Sequence, residues 1–154
     1  GEGLYRRSMY TFWKRSAPPA SMEIFNAPSR ESCTVRRERT NTPLQALVTM
    51  NDVQFVEAAR VLAEGALASS SVTDRRLDYM TVRLIARPLQ AAERLTAKKS
   101  LAAFERHYRA ERGDALALVR IGERPFDPSL DPAELAAWTM VANQLMNLDE
   151  ALTK

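Results

Sequence analysis

Twice along this chain a capping residue, a proline and a residue able to reach back to the cap stand in helix-starting order. The two sites are Thr42-Pro43-Leu44-Gln45 and Asp131-Pro132-Ala133-Glu134. The cap side chain accepts a first-turn N–H, proline occupies a position whose N–H has no partner anyway, and Gln or Glu returns a bond to the cap backbone. Each start heads a run with apolar residues three and four apart. No segment alternates convincingly as a strand; Val35 and residues 118–121 are the only weak candidates. Ala and Leu are plentiful and only five of 154 residues are glycine, which favours helix throughout. The sequence therefore predicts an all-α single domain of about seven helices with antiparallel neighbours.

The first helix is predicted over 4–16, from the stripe Tyr5, Met9, Phe12 and Trp13 among Arg6, Arg7, Lys14 and Arg15, and it stops before Pro18-Pro19. Such a stripe is expected to be core, although aromatic rings among basic residues also suit stacking on bases or sugars. Residues 17–41 read as an ordered irregular segment pinned by Met22, Ile24 and Phe25. Helices follow over 43–50, then from Asn51 or Asp52, then from Thr73 or Asp74 to Pro88. Others span 91–111 and 114–121, and the last starts at Asp131. The helices starting at 43, 51 and 131 should form the centre, with Leu47, Phe55, Leu62 and Trp138 in the core and Trp13 beside them.

Charge is uneven. Residues 1–40 hold eight Lys and Arg against four Asp and Glu, a net of +4, which leaves −1 for the remainder of a chain whose total is +3. An electrostatic partner should meet the N-terminal quarter. So small a net charge, without a recognition motif, disfavours nucleic acid. One cysteine, Cys33, excludes an internal disulfide and a cysteine-cluster metal site, and one histidine, His107, cannot build a His-rich one. The chain is expected to hold no metal and no cofactor. Cys33 reads as a buried or half-buried thiol and His107 as a surface residue. No run approaches the roughly 20 apolar residues of a membrane span. The chain begins Gly1-Glu2-Gly3 and shows no signal peptide, so it is expected to be a piece of a longer protein.

Chemistry concentrates at Arg36-Arg37-Glu38-Arg39-Thr40-Asn41, directly ahead of the helix start at Thr42. Planar guanidinium groups take two oxygens at once, and free helix N–H groups assist an anion. The candidate ligand-binding set is Arg36, Arg37, Arg39, Thr40 and Asn41. The competing reading is that these arginines tie the irregular segment to carboxylates such as Glu31, Glu57 or Asp149. Asp149-Glu150 reads as a polar helix terminus rather than a catalytic or calcium pair. No catalytic residue is assigned.

Several segments together resemble a known family. They are Leu4-Tyr5-Arg6-Arg7-Ser8-Met9-Tyr10-Thr11-Phe12-Trp13-Lys14-Arg15, Pro18-Pro19, Phe25-Asn26-Ala27-Pro28, residues 33–47, and Asn51-Asp52-Val53-Gln54-Phe55-Val56-Glu57-Ala58-Ala59-Arg60. Near the end come Glu134-Leu135-Ala136-Ala137-Trp138-Thr139 and Asn147-Leu148-Asp149-Glu150. The whole resembles the C-terminal part of the planctomycete-type domain of unknown function 1553. Val53 departs from the proline usual there. The resemblance implies an exported, multidomain parent, often carrying a cytochrome-c-like domain, so haem would belong to a separate domain. It also implies upstream domains of the parent as partners and an accessory role, with an anionic polysaccharide as a candidate ligand. A second reading makes the chain part of an enzyme site completed by the upstream region, redox-linked through that cytochrome-like domain.

Overall fold

The computed structural model describes residues 1–153 apart from Arg15, Arg30 and Arg37. Among these residues it is all helix, with no strand: α1 (Ala20–Ile24), α2 (Pro43–Asn51), α3 (Val53–Ser69), α4 (Thr73–Ile85), α5 (Ala91–Ala110), α6 (Arg112–Val119), α7 (Pro132–Met146) and α8 (Asp149–Leu152). Two short 3-10 turns, Glu2–Tyr5 and Ser8–Tyr10, precede them.

The starts are built as their residues dictate. Thr42 Oγ1 accepts the Gln45 N–H at 3.3 Å while Gln45 Oε1 accepts the Thr42 N–H at 2.9 Å, a complete capping box. Asp131 Oδ2 takes the Glu134 N–H at 3.3 Å, but the Glu134 carboxylate accepts from Arg76 at 2.7 Å instead of returning to the cap. The cap of α3 is Asp52, whose Oδ1 accepts the Gln54 N–H at 2.8 Å. Asn51 is the last residue of α2 and turns its amide back to the Leu47 carbonyl.

α7 is the hub. Apolar residues cover nearly its whole circumference, which only a surrounded helix can bury. Leu135, Ala136, Ala137, Trp138, Val141 and Ala142 are each at most 1% exposed. α3, α5 and α6 pack on it. α3 is small along one stripe, with Ala59, Ala63 and Ala66 fully buried.

Four expectations are corrected. α2 is peripheral and Leu47 is exposed, because the inward face of α2 is polar. Buried Gln45 and Thr49 lie on it; the Thr49 carbonyl accepts from the Asn143 amide and its hydroxyl donates to Asn147 Oδ1. Phe55 and Leu62 are half-buried at the edge of the core. Among the described residues of 4–16 no α-helix forms, only the two 3-10 turns: Tyr5, Met9, Tyr10 and Phe12 are 61–83% exposed. A single amphipathic helix of that length is marginal without a packing surface, and among the side chains described in this stretch only Trp13 is half-buried. Cys33 is exposed rather than buried. The described residues of 17–41 are irregular apart from α1, and Met22, Ile24 and Phe25 are half-buried as expected.

α4 ends on Ala86 in the left-handed region at φ 59°. A Cβ is strained there and none is strained in glycine. Ala86 is exposed, so nothing is lost on removing its methyl. Ala86→Gly is expected to raise the unfolding free energy by about 1 kcal/mol, read from urea denaturation midpoints.

The next residue, Arg87, clamps two helices. Its guanidinium bonds both oxygens of Glu93 at 2.8 and 2.9 Å, and both of Glu150, on α8, at 2.9 and 3.0 Å. The Arg87 bonds, with help from the Gln90 N–H, hold the Glu93 carboxyl down at about 2 from an ordinary 4.5. A carboxylate depressed on folding contributes stability above its unfolded pKa, and that contribution is lost as pH falls from 4.5 toward 2. Urea midpoints at about pH 5 and about pH 3 should therefore differ more in the native chain than in Arg87→Gln, which removes the clamp.

Candidate functional site

The basic segment reaches α2 along one side of a small hollow of about 230 Å³. Asn26, Arg36, Glu38, Arg39, Thr40 and Gln45 line it, closed by Phe25 and by Leu152 from α8. Arg36 and Arg39 are exposed, and among the described residues neither forms an ion pair. Glu38 offsets one of their two charges.

The floor of the hollow is a hydrogen-bond knot. Thr40 Oγ1 accepts the Asn26 amide at 2.6 Å and the Gln45 amide at 2.9 Å. Gln45 Nε2 also donates to the Ile24 carbonyl at 2.8 Å. A hydroxyl has two acceptor sites and one hydrogen. With both acceptor sites of Thr40 occupied, its O–H is left to donate. Asn26 is held at φ 54°, a conformation asparagine tolerates better than most residues. The hollow is thus lined by two arginines and by a hydroxyl left free to donate.

The five sequence-predicted residues separate here. Arg36, Arg39 and Thr40 line the hollow. Arg37 lies outside the described residues. Asn41 turns away and donates to Asp149 Oδ1 at 3.0 Å, fastening the segment to α8. The α2 N-terminus offers little, since its capping box engages the Thr42 and Gln45 N–H groups and Pro43 has none. Asn26 and Gln45 were missed as site residues. The available signals were an asparagine after a short apolar run and a capping glutamine whose amide nitrogen stays free to donate.

Of the carboxylates offered as tethers, Asp149 holds the segment through Asn41 rather than through an arginine, and Glu57 has partners elsewhere. Glu57 accepts the Tyr5 hydroxyl at 2.8 Å and the Glu123 N–H at 2.7 Å. Burial pushes the Glu57 carboxyl up, but these bonds and the Arg124 N–H outweigh it, and its pKa lies below the usual range. The same bond to Glu57 raises the Tyr5 phenol. Glu150 is held by Arg87, and exposed His107 faces Asp114 at 3.3 Å. Among the described residues no group of three His, Cys, Asp or Glu converges to hold a metal, and no helix is long and apolar enough to cross a membrane.

On the other side of Phe25 lies a larger groove of about 760 Å³. The N-terminal segment contributes Arg6, Met9 and Trp13, α1 contributes Met22, and α3 contributes Phe55. The Phe25 and Phe55 rings pack at 5.8 Å between centroids.

The chain is an all-helical domain with a basic, side-chain-built hollow at its edge. The model of the PSD1 family, described as a protein of unknown function (DUF1553), matches residues 1–101, and the chain belongs to that family. The segment 134–150, which also carried the resemblance, lies beyond the matched residues. No curated protein and no solved structure matches the chain.

Proposed function

We propose that this chain is a non-catalytic accessory module of a larger exported protein, and that it holds an anionic group at Arg36, Arg39 and Thr40. The anion is a sulfate or carboxylate of a ligand such as an acidic polysaccharide, or an acidic surface of an upstream domain. One observation carries the reading. Two exposed arginines, unpaired among the described residues, share a hollow with a hydroxyl whose acceptor sites are both filled. Exposed guanidinium groups gain most from a ligand with paired oxygens. The exported, multidomain setting rests on the family resemblance.

Thermal shifts with sulfated, carboxylated and neutral oligosaccharides at low and high salt test it. Acidic ligands should raise the melting temperature of the native chain, less so at high salt, and should leave Arg36→Gln/Arg39→Gln unmoved. Equal shifts in the two proteins would sink the proposal.

A further inference from the structure

The hollow and the groove share one wall. Phe25 lines both, so the hollow that holds Arg36 and Arg39 adjoins the aromatic and thioether groove at that ring. At about 760 Å³ that groove is in the size range of small-molecule sites, and Met9, Trp13, Met22, Phe25 and Phe55 give it an apolar stretch among Ser8, Thr11, Ser21 and Gln54. Its charged lining residues are Arg6 and Asp52; the Asp52 carboxylate caps α3, and Arg6 forms no ion pair among the described residues. The small hollow, in contrast, is mostly polar and has room for little more than a headgroup.

Resting on the anion reading above, we propose that the ligand is an amphiphilic anion. Its carboxylate, sulfate or phosphate headgroup sits at Arg36, Arg39 and Thr40, and its apolar body crosses Phe25 into the groove. Each half alone binds more weakly than the two joined. A bare anion at exposed arginines gains little in water, because screening leaves surface charge pairs weak. An apolar body alone gains its area burial but no orientation. Joined, the second contact becomes intramolecular and the two gains combine.

Trp13 reports on the groove, while Trp138, 1% exposed, is shielded from it. Tryptophan emission is followed during titration with octanoate, acetate and 1-octanol. Octanoate is expected to shift the emission with an affinity at least about tenfold above either half-ligand. Arg36→Gln/Arg39→Gln and Met9→Ser should each weaken octanoate about fivefold or more; all three positions are exposed, so the fold tolerates the changes. Phosphatidylcholine vesicles with and without phosphatidylglycerol separate the two sources of this chemistry. Arginine-dependent cosedimentation with the anionic vesicles identifies a lipid headgroup, and octanoate binding without it identifies a free acid. Arginine-dependent acetate binding, with octanoate no tighter, overturns the amphiphile and leaves the anion site standing. Octanoate binding indifferent to the arginines overturns the anion site itself.

Discussion

Replacing Gly122 by alanine is expected to lower the unfolding free energy by roughly 3–5 kcal/mol and the melting temperature by about 10 °C. Gly122 sits at φ 101°, where an L side chain is strained wherever it points. A Cβ built there would lie 2.0 Å from Glu57 Oε2 and 2.8 Å from Glu57 Cβ. One of those atoms belongs to the base of the side chain, so swinging the carboxylate aside does not relieve the clash. Moving Glu57, which is 6% exposed, also breaks its bonds from the Tyr5 hydroxyl and the Glu123 N–H. A buried carboxylate without donors is costly in its own right. Gly65→Ala is the control. Its Cβ would meet the Tyr79 hydroxyl at 2.4 Å, the far end of a side chain that can swing, so its cost should be much smaller. Urea denaturation of both variants decides the matter, and equal stabilities would contradict the packing of the 122–124 loop onto α3.

Trp138→Ala should cost about 3–5 kcal/mol, the range for deleting a fully buried aromatic side chain. Trp138 is among the largest wholly buried side chains and lies on α7, the helix that α3, α5 and α6 share. The cavity would open at the centre, where three helices cannot all move in to fill it. Trp138→Phe separates packing from polarity. The indole N–H has no hydrogen-bond partner among the described residues, so phenylalanine removes volume without orphaning an acceptor. It should cost about 1–2 kcal/mol, and the Arg76 guanidinium, 5.4 Å from the ring centroid, keeps an aromatic face. A phenylalanine variant as unstable as the alanine one would point to a hydrogen bond from that nitrogen instead.

The parts of the fold that were legible in the sequence are those fixed by neighbours along the chain. The starts of α2 and α7 depend on Thr42 with Gln45 and on Asp131 with Glu134, pairs three residues apart; the first formed both bonds as read, the second only its cap bond, because the Glu134 carboxylate pairs with Arg76 instead. The end of α4 was legible from Pro88. What failed depended on distant contacts. Tyr5, Met9, Phe12 and Trp13 have helical spacing, but spacing says where a helix would be apolar, not whether a surface exists to receive it. Leu47 looked like core because α2 carries apolar residues on its outer side as well; only the Thr49 contacts with Asn143 and Asn147, almost a hundred residues away, show which side faces inward. The same division runs through the candidate site. Arg36, Arg39 and Thr40 were readable from their cluster, whereas Asn26 and Gln45 enter it through bonds spanning 14 and 5 residues. Asn41 leaves it for Asp149, 108 residues on.

The most direct test of the anion site is arginine side-chain NMR, following the Nε–Hε resonances during titration with sulfate and then with a sulfated oligosaccharide. Arg36 and Arg39 should move together and saturate, while Arg87 and Arg94, already held by Glu93, Glu150, Asp74 and Asp78, should stay in place. Stationary Arg36 and Arg39 signals at saturating ligand, or equal small drifts of every exposed arginine, would contradict the account.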